Sequence, residues 1–123
     1  MKRGGCYVLG TGRHNGEKDL LRFDALTDSI LDITKLLDGK EKTAIICIAQ
    51  TDFNRCQTEY ELFYQINVTS VKHMIEVLIQ EKFQIIYFST DNVFDGIRGN
   101  YTEQDKTSAI SRYGKMKEEM ELF

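Results

Sequence analysis

Thr43-Ala44-Ile45-Ile46-Cys47-Ile48-Ala49 is a continuously apolar, partly β-branched run, and Gln84-Ile85-Ile86-Tyr87-Phe88-Ser89 repeats the pattern later in the chain. Such runs fit strands buried on both faces of a parallel sheet. Between them Leu62, Ile66, Val71, Ile75, Leu78 and Ile79 recur at helical spacing up to about Lys82. Thr58, with Glu61 three residues later, reads as the capping box that opens this helix. Strand, long helix and strand form a βαβ unit, which crosses over right-handed and builds a parallel sheet. The fold class is α/β.

Working outward, Cys6-Tyr7-Val8-Leu9-Gly10 predicts a short strand, and Gly10-Thr11-Gly12-Arg13-His14-Asn15-Gly16 a loop. Ile30, Ile33, Leu36 and Leu37 predict a helix over 28–38, capped by Thr27 or Asp28 and stopped by Gly39. Residues 91–110 are polar and glycine-bearing, and a last helix starts near Ser111 and runs to the end of the chain. With 123 residues, no repeats and no linker-like tract, a single domain spans 1–123.

Composition narrows the function. Hydrophobic residues at 41% and charged residues at 28% exclude a disordered or membrane-embedded chain. Sixteen Lys and Arg against nineteen Asp and Glu give a net charge of −3, which provides no basic field for nucleic acid or an anionic membrane. Cys6, Cys47 and Cys56 are odd in number and lack CxxC spacing, so they read as reduced thiols of a cytoplasmic protein rather than a disulfide frame or metal site. His14 and His73 are isolated, which argues against metal ligation.

Three segments carry chemical potential. Tyr113 and Lys117 lie four positions apart, on one face of the last helix. A cation beside a phenol lowers the phenol's pKa and makes it a usable proton donor or acceptor. The same spacing also occurs in ordinary solvated helices. Ser89-Thr90-Asp91 ends a buried parallel strand, where ligands of open α/β sheets gather, although a capped strand end has the same composition. Ala49-Gln50-Thr51 ends the neighbouring strand and reads equally as a strand-to-helix loop. Lys115, Glu118, Glu119 and Glu121 mix signs as a solvated face does.

Together, Phe23-Asp24-Ala25-Leu26-Thr27-Asp28, Ile48-Ala49-Gln50-Thr51-Asp52, Ile66-Asn67-Val68, Ser89-Thr90-Asp91-Asn92-Val93-Phe94-Asp95-Gly96, Tyr101-Thr102-Glu103 and Tyr113-Gly114-Lys115-Met116-Lys117 resemble the extended short-chain dehydrogenase/reductase family. Their order and spacing are similar to its dTDP-4-dehydrorhamnose reductase-like branch of sugar-nucleotide reductases. The resemblance implies a Rossmann-like sheet with flanking helices and reduction of a 4-keto-6-deoxy sugar nucleotide. It implies Tyr113 as general acid, Lys117 as tuner of that tyrosine and ligand of the nicotinamide ribose, and Thr90 as the hydroxyl polarising the substrate oxygen, flanked by Ser89 and Asp91. Asp24 and Ala25 would lie by the adenine, Ala49, Gln50 and Thr51 would line the cofactor, and Asn67 would brace the strand ends. Arg13 stands where the family reads the adenosine ribose; an arginine there suits a 2′-phosphate, favouring NADP(H) over NAD(H). Its bland reading is a solvated loop cation. An epimerase or dehydratase of the same superfamily is the nearest alternative, with Asn92 after Asp91 speaking against dehydration. A non-catalytic subunit with this fold is another. The family's helices make a homodimer the expected assembly.

The family's opening strand and its GxxGxxG phosphate turn have no counterpart here. Gly10, Gly12 and Gly16 do not open a helix, so 6–10 corresponds to the family's second strand. In the order 3-2-1-4-5-6 the first strand is central, and its absence predicts a gap between 6–10 and 43–49. The chain reads as the middle of a larger enzyme, without the C-terminal substrate domain, and as inactive by itself.

Overall fold

A computed structural model describes residues 7–14, 19–37, 39 and 41–123. Strands β3 (Lys42–Ile46) and β4 (Phe83–Tyr87) pair in parallel, with Lys42 opposite Phe83 and Ile46 opposite Tyr87. Between them run α2 (Phe53–Thr58), α3 (Tyr60–Tyr64), a π-helical turn (Gln65–Thr69) and α4 (Ser70–Gln80). The βαβ unit is therefore present, but both strands end earlier than 49 and 89. Nor are they buried on both faces. Ile45 is 61% and Ile86 44% exposed, whereas Ile46 and Phe83 are buried, so alternate residues face the helices and solvent. The unbroken apolar run concealed this alternation, because it places Ile on the open face as well as the covered one.

The capping box is not formed. Asp52 caps α2, its Oδ1 accepting from the Arg55 amide at 3.0 Å, and Thr58 is the last residue of that helix. The Thr58 hydroxyl donates to the Arg55 carbonyl at 3.3 Å. Phe53–Thr58 thus forms a short helix ahead of the long one. From Tyr60 to Gln80 the backbone stays helical, and Phe63, Ile66, Val71, Met74, Ile75 and Leu78 form its buried stripe. Leu62 and Ile79 fall off the stripe and are exposed. The wider π turn shifts the helical phase, which lets Ile66, Asn67 and Val68 all be buried in succession. Truncating Phe63 in this core would cost about 3–5 kcal/mol.

Strand β1 is Gly10–Gly12 rather than 6–10, and it pairs in parallel with β2 (Leu20–Arg22), a strand the sequence pattern did not suggest. Cys6 lies outside the described residues. Turn-forming glycines serve here for close approach: a Cβ on Gly10 would stand 2.5 Å from Leu20 Cδ2. Helix α1 is only Ile30–Thr34. Asp28 cannot cap it, since its carboxylate accepts the Asp24 amide at 2.8 Å and pairs with Arg22 at 2.7 Å. Leu36 and Leu37 follow α1 outside the helix, and Asp38 lies outside the described residues. The sheets β1–β2 and β3–β4 do not pair with each other, as the gap expected between them requires.

After β4 a 3-10 turn (Asp91–Val93) leads into the loop to α5 (Arg112–Glu121), which Ser111 caps by accepting from the Gly114 amide at 2.9 Å. The helix stops at Glu121, short of the last residues. Within the loop Phe94 and Tyr101 stack at 4.5 Å, and the Arg98 guanidinium lies 4.8 Å from the Tyr101 ring. Arg98 pairs with Asp105 at 2.6 Å, and Asp105 also accepts from the Thr102 amide at 2.8 Å. No helix among the described residues is long and apolar enough to cross a membrane.

The Arg98 hydrogen bond, followed by that of the Thr102 amide, holds the Asp105 carboxyl down at about 2, against an ordinary 3.8. A carboxyl lowered on folding stabilises fully above its unfolded pKa and loses that contribution as pH falls through the folded one. Loop 94–108 should therefore loosen between about pH 4 and pH 2. The Thr102 amide resonance reports it, and Asp105→Asn should abolish the transition.

Candidate functional site

Between the two sheets lies a cleft of about 250 Å³. Thr11 and Gly12 of β1 with Arg13 just past it, Phe23 to Leu26 after β2, and Cys47 to Gln50 after β3 line it, with Ile66 from the π turn. Of the residues expected at a cofactor, Arg13, Asp24, Ala25, Ala49 and Gln50 share this cleft; Thr51 and Lys117 do not line it. Arg13 Nε pairs with Asp24 Oδ2 at 3.1 Å, so Arg13 is exposed yet not a free solvated cation. Asp24 Oδ1 also accepts the Leu26 amide at 3.0 Å, which shapes the turn that presents Ala25.

The floor is set by Asn67. Its Oδ1 accepts the Gln50 amide at 2.7 Å, and its Nδ2 donates to the Gln50 carbonyl at 2.9 Å. A third contact, Nδ2 to Met116 Sδ at 3.6 Å, ties the same side chain to α5. Asn67 is 1% exposed, and one carboxamide thus satisfies both backbone groups of a strand-end residue.

Tyr113 and Lys117 are both buried on α5. The Tyr113 ring meets Phe53 edge-on at 5.6 Å. Gly114 explains how closely α5 packs on the turn after Thr90: an added Cβ would stand 2.2 Å from the Asn92 carbonyl oxygen. Thr90 caps that turn, its hydroxyl accepting from the Asn92 amide at 3.3 Å and donating to Asp91 Oδ1 at 3.2 Å. The exposed Ser89 donates to the Glu121 carboxylate.

The expected electrostatics is reversed. Burial pushes the Tyr113 phenol above its ordinary 10, and no cation offsets it. Burial likewise brings Lys117 below 10.5, against weaker support from Cys47 and Glu121. The ammonium points elsewhere, donating to the Phe88 carbonyl at 2.7 Å and lying 4.3 Å from the Tyr87 ring centre. Desolvation outweighs the charge pairing inferred from spacing alone. The supposed solvated face also takes part in packing: Glu119 pairs with Lys72 at 2.7 Å and accepts the Tyr64 hydroxyl at 2.9 Å. Cys56 is buried and Cys47 exposed, both as free thiols, and no cluster of metal-ligating side chains occurs among the described residues.

Residues 5–123 match the family described as the RmlD substrate binding domain. The chain belongs to that family. A dTDP-4-dehydrorhamnose reductase from Aggregatibacter actinomycetemcomitans is 35% identical over 115 residues, covering 87% of this chain and 38% of the relative. A crystal structure titled as a hypothetical dTDP-4-dehydrorhamnose reductase from Sulfolobus tokodaii superposes with a TM-score of 0.75 at 31% identity, over 89% of this chain and 40% of that one. The methionine adenosyltransferase 2 subunit beta of Xenopus laevis is 28% identical over 95% of this chain and 35% of its own length. The RmlD-family chain therefore has a Rossmann-like α/β fold and spans about 40% of the length of the proteins it matches.

Two substitutions test this RmlD-family geometry. Asn67→Leu strands a buried amide and carbonyl and should lower stability by about 2–4 kcal/mol in urea unfolding. Gly114→Ala drives a methyl into backbone and should cost about 1–3 kcal/mol, with chemical-shift changes concentrated at residues 90–93.

Proposed function

We propose that residues 1–123 form the part of an NADP(H)-dependent sugar-nucleotide reductase that runs from the second strand of its dinucleotide-binding domain through the tyrosine helix. The substrate is a 4-keto-6-deoxy sugar nucleotide, and the product is the corresponding alcohol. One observation carries this reading: Tyr113 and Lys117 share a buried face of α5, and Gly114 presses that helix onto the turn that begins at Thr90. Membership of a family with relatives named dTDP-4-dehydrorhamnose reductase supports it.

The residues fit a dinucleotide's adenosine end. The cleft is partly apolar, carries one guanidinium at its mouth and has a rigid floor at Gln50. Arg13 uses Nε toward Asp24, so its terminal nitrogens supply the forked donors that a 2′-phosphate takes. Bound NADPH supplies the hydride. Tyr113, kept protonated by burial, donates its phenolic proton to the carbonyl oxygen as charge develops there. Thr90 donates to the same oxygen beforehand, and Ser89 and Asp91 border the sugar. Lys117 would hold the ribose hydroxyls of the bound cofactor. The sequence has no GxxGxxG turn, so the chain alone binds a whole dinucleotide weakly and does not turn over. The protein is cytoplasmic and pairs as a homodimer through its helices.

A non-catalytic binding subunit is the second reading, favoured by the likeness to a protein named methionine adenosyltransferase 2 subunit beta.

Calorimetry with 2′,5′-ADP and 5′-AMP tests the cofactor assignment without needing the phosphate turn. The 2′-phosphate should improve affinity about tenfold, a gain that Arg13→Ala removes. Equal affinity for both nucleotides would refute NADP(H) preference. Loss of turnover in Tyr113→Phe of the full-length reductase, with nucleotide binding retained, separates the enzyme from the binding subunit.

A further inference from the structure

Tyr87 ends β4 with its side chain on the helix-facing side of the sheet. Its hydroxyl is buried and has no hydrogen-bond partner among the described residues. Phenylalanine would fill the same space without that cost. The ring, by contrast, is engaged: the Lys117 ammonium lies 4.3 Å from its centre while donating to the carbonyl of the next residue, Phe88, at 2.7 Å. Tyr113 and Lys117 stand one turn apart on α5, both buried. One strand-end aromatic therefore backs the lysine of that helix.

We propose that Tyr87 is the positioning residue for Lys117, its ring face and the Phe88 carbonyl together holding the ammonium at the C-terminal end of β4. The inference rests on the function proposed for Lys117, although its test does not. A cation desolvated against an aromatic face keeps its proton more readily than one facing alkyl groups. Among the described residues, Cys47 just past β3 and Glu121 on the helix of Lys117 also favour the ammonium. Burial opposes all of them. Tyr87 supplies attraction without adding a charge that a bound phosphate would repel.

The experiment follows the Lys117 13Cε resonance, assigned by its loss in Lys117→Met, through an alkaline titration of the labelled chain. Tyr87→Leu should lower the midpoint by about half a pH unit or more. Tyr87→Phe should leave the midpoint unchanged and raise the melting temperature, because it keeps the face and removes the orphan hydroxyl. Should Tyr87→Leu fail to fold, Tyr87→Met provides the same comparison at closer volume. A midpoint unmoved in the aliphatic variant, or moved equally in Tyr87→Phe, overturns the proposal. Nucleotide binding does not enter this measurement. Failure of 2′,5′-ADP to bind would thus sink the functional reading alone.

Discussion

A single buried carboxamide governs the geometry of the cleft. Asn67 offers one acceptor and two donors, and it uses them on the Gln50 amide, the Gln50 carbonyl and Met116 sulfur. Those contacts join three elements: the crossover helix, the segment leaving β3 and the helix bearing Tyr113. The segment after β3 cannot satisfy its own backbone, because the strand ladder ends at Ile46. Without the side chain, the cleft floor would need water or movement. The π turn at Gln65–Thr69 makes this possible, since the wider turn aims Asn67 inward while both its neighbours, Ile66 and Val68, remain buried.

The second constraint is the approach of α5 to the turn after Thr90. A side chain at Gly114 would meet the Asn92 carbonyl at bonding distance, so glycine here is a packing requirement rather than a conformational one. Ser111 caps the helix just ahead, which fixes where its first turn begins. The positions of Tyr113 and Lys117 then follow from helix geometry. Burial pushes both toward their neutral forms, the phenol upward and the ammonium downward. A neutral phenol suits a proton donor; a phenolate would not. Under the proposed reading, the lysine's task in this state is to be held at the Phe88 carbonyl rather than to ionise the tyrosine.

The βαβ unit, its parallel pairing and the separation of the two sheets were legible in the sequence because they rest on long periodic stretches and element order. The start of the last helix near Ser111 was legible too, and the bracing role of Asn67 followed from the family resemblance. What was not legible depended on competition between partners. Thr58 and Glu61 match a capping box, but Asp52 had already capped the preceding turn. Asp28 has the right chemistry for a cap and spends its carboxylate on Arg22 and the Asp24 amide. Gly10 and Gly12 have turn propensity, yet lie in a strand paired with Leu20 and Arg22. In each case, local preference was overridden by a contact distant in sequence or already committed. Ile45 and Ile86 show the same limit for burial, since an apolar residue does not reveal whether anything covers it.

The Arg13–Asp24 pair brings these arguments together at the mouth of the cleft. Its two members follow the two strands of one sheet, and the segment after β3 completes the cleft they border. An exposed ion pair contributes little to stability, so its value lies in orientation. Asp24 is fixed through its second oxygen to the Leu26 amide, and Arg13 is in turn fixed through Nε. The guanidinium plane is thereby set before any ligand arrives, which reduces the ordering cost of binding an anion. That carboxylate also repels an incoming phosphate, so the gain from Arg13 is a difference between two opposed charges. Under the proposed function, discrimination between dinucleotides at this cleft would therefore turn on which oxygen or phosphate reaches the free edge of Arg13, not on the charge of the loop as a whole.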